Sequence, residues 1–239
     1  VTLSVVTPTA NRPIGFAHLE RFMHRQTLQP DEWIVADGGI TPVVCSLGQR
    51  HRVDPRFPAG QPNFINNVRN GLEIAQGDII AFMEDDDWYR ADHLERLVDT
   101  LTRKPQALAA GDDQQRYYNL PHRCYRTIDN VGASLCQTAI LRGAIPQFLA
   151  AIDLAEAKET IGIDTYFWRG LHHERWAIDR TWTVVGVKGL PGQPGLGIGH
   201  RPTGPAWKRD DHGTMLKLWT GPDDAEAYTR LVEVRAARV

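Results

Sequence analysis

The sequence predicts an α/β fold, a single domain whose mostly parallel central sheet is flanked by helices. Three observations predict it. Short apolar runs alternate with segments of helical period along the first hundred residues. Pro, Gly, Asn and Asp gather at the junctions between them. No linker or internal repeat divides the 239 residues, which suffice to bury a sizeable core.

The elements follow in order. "VTLSVVTPTANRP" opens with a buried strand, Val1 to Thr7, stopped by Pro8 and Pro13. "IGFAHLERFMHRQ" sets Phe16, Leu19 and Met23 at helical spacing. "EWIVADGG" is a second strand, Glu32 to Ala36, ending in Asp37-Gly38-Gly39. Thr41 to Pro62 reads as irregular. "NFINNVRNGLEIA" returns to helical period through Ile65, Val68 and Leu72, and "DIIAFM" is a third strand. "ADHLERLVDTLTRKP" is a helix with Leu94, Leu97, Val98 and Leu101 on one face and Pro105 past its end.

The second half is less regular. "ALAAGDDQQRYYNL", "HRCYRTI" and "TWTVVGVKGL" read as strands. "QTAILRGAIPQFLAAI" reads as a helix interrupted at Pro146, "GIDTYFWRGLHHERW" as a short helix, and "DDAEAYTRLVEVRAARV" as a terminal helix. Between them Pro191 to Pro205 holds five Gly and four Pro, a composition expected of a closing loop.

Composition excludes several classes. A formal net charge of -2 gives no global polybasic character. Lys188 to Arg209 nevertheless carries basic residues and no acid, which suits a solvated loop or a phosphate clamp. Cys45, Cys124 and Cys136 lack metal-type spacing and read as free thiols in a reducing compartment. No apolar run approaches membrane-spanning length and no signal peptide opens the chain. The expected address is therefore cytoplasmic, in a bacterium or a phage-infected host cell, without a membrane anchor.

Chemistry concentrates in "GDIIAFMEDDDWY". Four acids, Glu84, Asp85, Asp86 and Asp87, follow an apolar strand directly. Packed carboxylates repel and are expensive to desolvate, so they need a cation, a solvated turn, or both. A hard divalent ion holding a substrate diphosphate is one reading; an acidic turn before a helix is the other. In parallel sheets ligands bind beyond the carboxyl ends of the strands. Thr7-Pro8-Thr9, Asp37-Gly38-Gly39 and the acidic run all fall there.

These segments carry a resemblance. "SVVTPTANRP", "IVADGG", "NNVRNGLEIAQGDIIAFMEDDDWY" and "GIDTYFWRG", in that order, resemble the GT-A-fold (Rossmann-like) glycosyltransferases of family 2. The resemblance is close over about residues 2–101 and loose to about residue 170. It implies a donor-binding half over 1–104 and an acceptor-binding half over 105–239, with a closing C-terminal loop and helix. Thr7, Pro8 and Thr9 would line the nucleoside pocket and Asp37 would bond the base. Arg69 would approach base or phosphates; on the residues alone it pairs equally well with Glu73 one turn on. Glu84-Asp85-Asp86 would be the DXD-type motif, with Asp85 near the ribose and Asp86 on a Mn²⁺ or Mg²⁺ ion. Two residues depart from the pattern: Glu84 at the first acidic position, and Ala36 where the family often has a second acid.

Further on, Asp164 would be the general base for an inverting transfer from a nucleotide-sugar, a UDP-sugar first, to an acceptor hydroxyl. Taken without the resemblance, Asp164 reads as a helix cap, and Ile163 replaces an expected Glu. Asn130 to Leu141 would face donor sugar and acceptor. His200 would bind metal or diphosphate; Arg201, Lys208 and Arg209 would clamp phosphates. Trp88, Trp168 and Trp207 are sugar-stacking candidates or core. A hydroxymethylated pyrimidine in phage DNA is the acceptor expectation. A nucleotidyltransferase and a non-catalytic sugar-nucleotide module are the alternatives. The first lacks the Gly-rich loop a triphosphate needs after the opening strand.

Overall fold

The computed structural model describes residues 1–52, 61–129, 131–192 and 195–236. The first half alternates as expected. Strand β1 (Leu3–Thr9) leads to α1 (Pro13–His24), then β2 (Glu32–Asp37) and β3 (Gln49–Arg52). Helix α2 (Gln61–Ile74), β4 (Ile79–Phe82), β5 (Asp87–Tyr89) and α3 (His93–Thr102) complete it. The second half contains β6 (Ala109–Gly111), β7 (Gln114–Asn119), β8 (Cys124–Asp129) and β9 (Thr138–Leu141). After these come α4 (Ile145–Ala157), α5 (Ile163–Gly170), β10 (Trp176–Ile178) and β11 (Val184–Lys188). The chain continues through β12 (Lys208–Arg209), α6 (Thr214–Thr220) and α7 (Pro222–Ala236).

Seven strands form the central sheet in the order β10-β6-β9-β4-β1-β2-β3. Pairing is parallel except where β9 runs against β4 and β6. β1 lies between β2 and β4, so their carboxyl ends open on one edge, with Thr9 paired to Asp37. Both faces of β1 are buried: Val5 joins one apolar cluster with Phe16, Leu19 and Phe22, and Val6 joins the other with Val68, Leu72 and Phe82. That explains its continuous apolar run, since alternate side chains enter separate cores. Each such fully buried side chain contributes about 1.5–3 kcal/mol. α1 starts at Pro13, whose missing N–H costs nothing in a first turn.

Three expectations need correction. "QTAIL" is not helical; it supplies β9 in the middle of the sheet, and α4 begins only at Ile145. Pro146 starts that helix rather than interrupting it, for the same reason as Pro13. Within 41–62, β3 forms at the sheet edge beside β2.

A second sheet of five strands, β12-β8-β7-β11-β5, was not anticipated. It decides the site. β5 leaves the acidic turn and pairs antiparallel with β11, Asp87 opposite Gly186. Continuing that register two residues carries Lys188 opposite the acids.

Candidate functional site

A cleft of about 270 Å³ lies where the carboxyl ends of β1 and β4 meet β11 and the loop after it. Pro8, Thr9 and Arg12 enter from the end of β1, and Asn63 and Asn67 from α2. Glu84, Asp86 and Asp87 come from the turn after β4, Lys188 from β11, His200 from the late loop and Asp164 from α5.

Asp86 is the hub. Arg12 Nη2 donates to its Oδ2 at 2.7 Å, and Lys188 Nζ donates to its Oδ1 at 2.9 Å. His200 Nε2 lies 2.9 Å from the same Oδ2. Lys188 also donates to Asp87 Oδ1 at 2.7 Å, while Arg12 Nη1 donates to Asp85 Oδ1 at 2.6 Å. Thr9 Oγ1 donates to the other Asp85 oxygen. Two cations thus thread three acids, Asp85, Asp86 and Asp87, that are almost fully withdrawn from water, with Glu84 half-buried beside them.

The electrostatics follow from that threading. Burial pushes the Asp86 carboxyl up, but Arg12, Lys188 and the His200 contact overrule it and hold it well below the usual carboxylate range. Burial opposes the charge on Lys188, yet Asp86 and Asp87 raise its pKa well above the ordinary lysine value. Asp85 is pushed up to about 6, by burial against the pull of Arg12. Burial, then repulsion from Asp87 and Asp86, raises Glu84 well above its ordinary value. Asp87 is raised chiefly by burial, against Lys188. Among the described residues its Oδ2 has no hydrogen-bond partner within ordinary limits, and Glu84, Asp87 and Cys136 bring potential ligand atoms within 4.8 Å of one another.

Asp164 lines the cleft in the first turn of α5, but it is not the cap, which is Gly162. The Thr165 backbone N–H donates to its Oδ1 at 2.7 Å. Burial raises its pKa, with the Thr165 and Leu135 backbone N–H groups opposing.

Not every expected residue arrives. Thr7 is fully buried away from the cleft, where its hydroxyl accepts the Trp33 indole N–H at 3.0 Å. Asp37 lies outside the cleft lining; its carboxylate accepts the Gly39 and Val43 backbone N–H groups at 2.9 and 2.8 Å, shaping the turn after β2. Asp85 faces Thr9 and Arg12 rather than the cleft, and Glu84 lines it instead. Arg69 lies outside the cleft lining: it spans to α4, pairing Asp153 at 2.9 Å and Glu156 at 3.1 Å. Arg201, Lys208 and Arg209 are exposed and outside the lining.

Of the tryptophans, Trp168 is fully buried and Trp88 is buried against Asp224, so both are core. Trp207 is half-buried. Gly132 (φ +85°) serves packing, because a Cβ there would strike Trp168. Ser134 does reach the cleft, whereas Asn130 and residues 53–60 lie outside the described residues. Arg12 and Lys188 were missed as site residues. Their signals were a basic side chain in the turn after β1 and a lysine ending an apolar strand.

A family model described as glycosyl transferase family 2 matches residues 4–127. No curated protein is matched by the sequence. Among solved structures, S. aureus TarS 1-349 in complex with UDP is similar at TM-score 0.50 and 12% identity, covering 78% of this chain and 60% of that one. A longer S. aureus TarS structure gives TM-score 0.49 and 11% identity, with 78% and 37% covered. The chain thus spans less than two thirds of either relative, and at such identity the likeness is one of fold. The family match extends over more than half of the sequence: the chain belongs to glycosyl transferase family 2 and is built on the GT-A fold.

Proposed function

We propose that this protein transfers a sugar from a nucleoside-diphosphate donor, a UDP-sugar first, to an acceptor hydroxyl with inversion at the anomeric carbon. The observation that carries the reading is the joint position of two groups in one cleft: the Arg12–Lys188–His200 cluster on Asp86, and the half-buried carboxylate of Asp164. The relative solved with UDP supports the choice of nucleotide. Residues 1–104 would serve mainly the donor and 105–239 the acceptor.

In the step, the acceptor oxygen attacks the anomeric carbon. The bond from that carbon to the diphosphate oxygen breaks, and its electron pair leaves with the diphosphate. The hydroxyl proton passes to Asp164. Burial suits that role, since a carboxylate of raised pKa is a stronger base than an exposed one. Positive donors at the diphosphate stabilise the charge that develops on it.

The expected Mn²⁺ or Mg²⁺ at Asp86 and His200 meets an obstacle. Both oxygens of Asp86 already accept from nitrogen donors, and an ammonium stands between Asp86 and Asp87. As arranged, these residues do not fit a divalent ion there, so no step is routed through one.

For the acceptor, exposed Arg123, Arg201, Lys208 and Arg209 support hydroxymethylated DNA as the first class to test, with salt-dependent binding as its signature. Among the described residues Cys124 and Cys136 are free thiols, and no helix is long and apolar enough to cross a membrane. The free thiols support the cytoplasmic address.

The experiment is a sugar-nucleotide screen with mass analysis of candidate acceptors, beside calorimetry with UDP. Transfer with a UDP-sugar supports the reading; binding without any turnover points to a non-catalytic module.

A further inference from the structure

We propose that Lys188 and Arg12 are resident counter-cations of the acidic turn, and that they, in place of a divalent ion at Asp86, receive the diphosphate of the donor. The inference rests on the donor reading above and adds which groups hold the leaving group.

Three features of the chain argue for it. The first is occupancy. Lys188 Nζ donates to Asp86 and Asp87, and Arg12 donates to Asp85 and Asp86, so the Asp86 carboxylate is held by two fixed positive charges. A divalent ion on Asp86 would stand at near-contact distance from an ammonium buried with it, where repulsion is weakly screened. The Glu84, Asp87 and Cys136 atoms do not escape this, because Lys188 holds Asp87 and a thiol is a poor partner for Mg²⁺ or Mn²⁺.

The second is spare capacity. An ammonium has three N–H donors and a guanidinium five. Carboxylates take two from each group here, and both groups line the cleft. Each retains donors for phosphate oxygens, which a guanidinium fork and an ammonium both bind well.

The third is a built slot. A Cβ on Gly186 would lie 3.1 Å from Lys188 Cε, and one on Gly199 would lie 2.9 Å from its Cγ. Asn119 Nδ2 ties the loop down by donating to the Gly199 carbonyl at 2.7 Å. The lysine stem therefore passes between two glycines, one inside strand β11, where glycine otherwise weakens a strand. Such a path places the ammonium in one position among the acids. The carboxylates hold and orient the cations rather than collecting metal from solution.

Two measurements test this. In the first, Mn²⁺ is titrated into nucleotide-free protein and followed by electron paramagnetic resonance. The wild type should leave Mn²⁺ free, whereas Lys188→Gln, with the acids exposed to the ion, should bind it. Micromolar Mn²⁺ binding by the wild type would overturn the proposal. In the second, UDP binding is measured by calorimetry in EDTA and in Mn²⁺. Wild-type affinity should agree within about twofold, and Lys188→Gln and Arg12→Gln should each weaken it by about tenfold or more in EDTA. A wild type that loses about tenfold or more in EDTA overturns it. Should Lys188→Gln fail to fold, Lys188→Arg replaces it, expected to bind UDP in EDTA and to leave Mn²⁺ free. If the wild type binds no nucleoside diphosphate under either condition, the donor reading fails and takes the diphosphate role with it. The Mn²⁺ titration still judges the counter-cation role by itself.

Discussion

His200 Nε2 stands 2.9 Å from Asp86 Oδ2, although 114 residues separate the two in sequence. The contact is enforced from behind. Gly195 packs so closely on the imidazole that any side chain at 195 would push His200 off the carboxylate. Because His200 is the end of a loop side chain, it can yield without unfolding the domain. Gly195→Ala should therefore copy His200→Ala, with turnover down by about tenfold to a hundredfold and little change in Tm. Steady-state kinetics beside thermal melts check it; a Gly195→Ala enzyme of full activity would show that the contact is idle.

Asp164→Asn should lower turnover by about a thousandfold while UDP affinity stays within error. The pH profile supplies a second reading. Burial raises the Asp164 pKa, so the base is protonated, and the rate lost, at a higher pH than for an unperturbed aspartate. The acid limb of the rate profile should sit there in the wild type and vanish in the residual activity of the variant.

His93 predicts an acid-labile fold. It is fully buried, and burial lowers its pKa from 6.5 to about 3; its Nδ1 lies 2.7 Å from Thr183 Oγ1 and, among the described residues, its Nε2 has no hydrogen-bond partner. Below pH 6.5 the unfolded chain takes up a proton that the folded chain refuses. Stability is thus complete above that pH and falls by about 1.4 kcal/mol per pH unit on the way down to pH 3 from this group alone. His18, lowered to about 4 first by burial and then by Arg21, acts in the same direction. Urea melts between neutral pH and pH 4 measure the slope, which His93→Gln should reduce.

Arg69→Ala tests whether that residue serves the donor or only the α2–α4 pairing. Its partners Asp153 and Glu156 are exposed, so the pairing is screened and contributes about 0.2–1 kcal/mol. Stability should fall by that much, with UDP binding unchanged. A loss of affinity would return Arg69 to the donor site.

Much was legible before any coordinates. Val1 to Thr7, Glu32 to Ala36 and "DIIAFM" could be read as strands because burial on both faces leaves a continuous apolar run. Phe16, Leu19 and Met23 could be read as a helix face because a period of 3.6 repeats locally. "QTAIL" failed the same test. Five apolar or neutral residues before a helix fit either period, and only pairing with β4 and β6 decides for a strand over Thr138–Leu141.

By itself the sequence determined the α/β alternation, the acidic turn at a strand end and the glycine-rich loop, since each is written in neighbouring residues. The tertiary structure alone decided what neutralises that turn. Arg12, Lys188 and His200 come from distant segments, and their convergence depends on the β5–β11 register and on the path of one loop. Periodicity reports which face of an element is buried; it carries no information on which remote side chain the buried charge will meet.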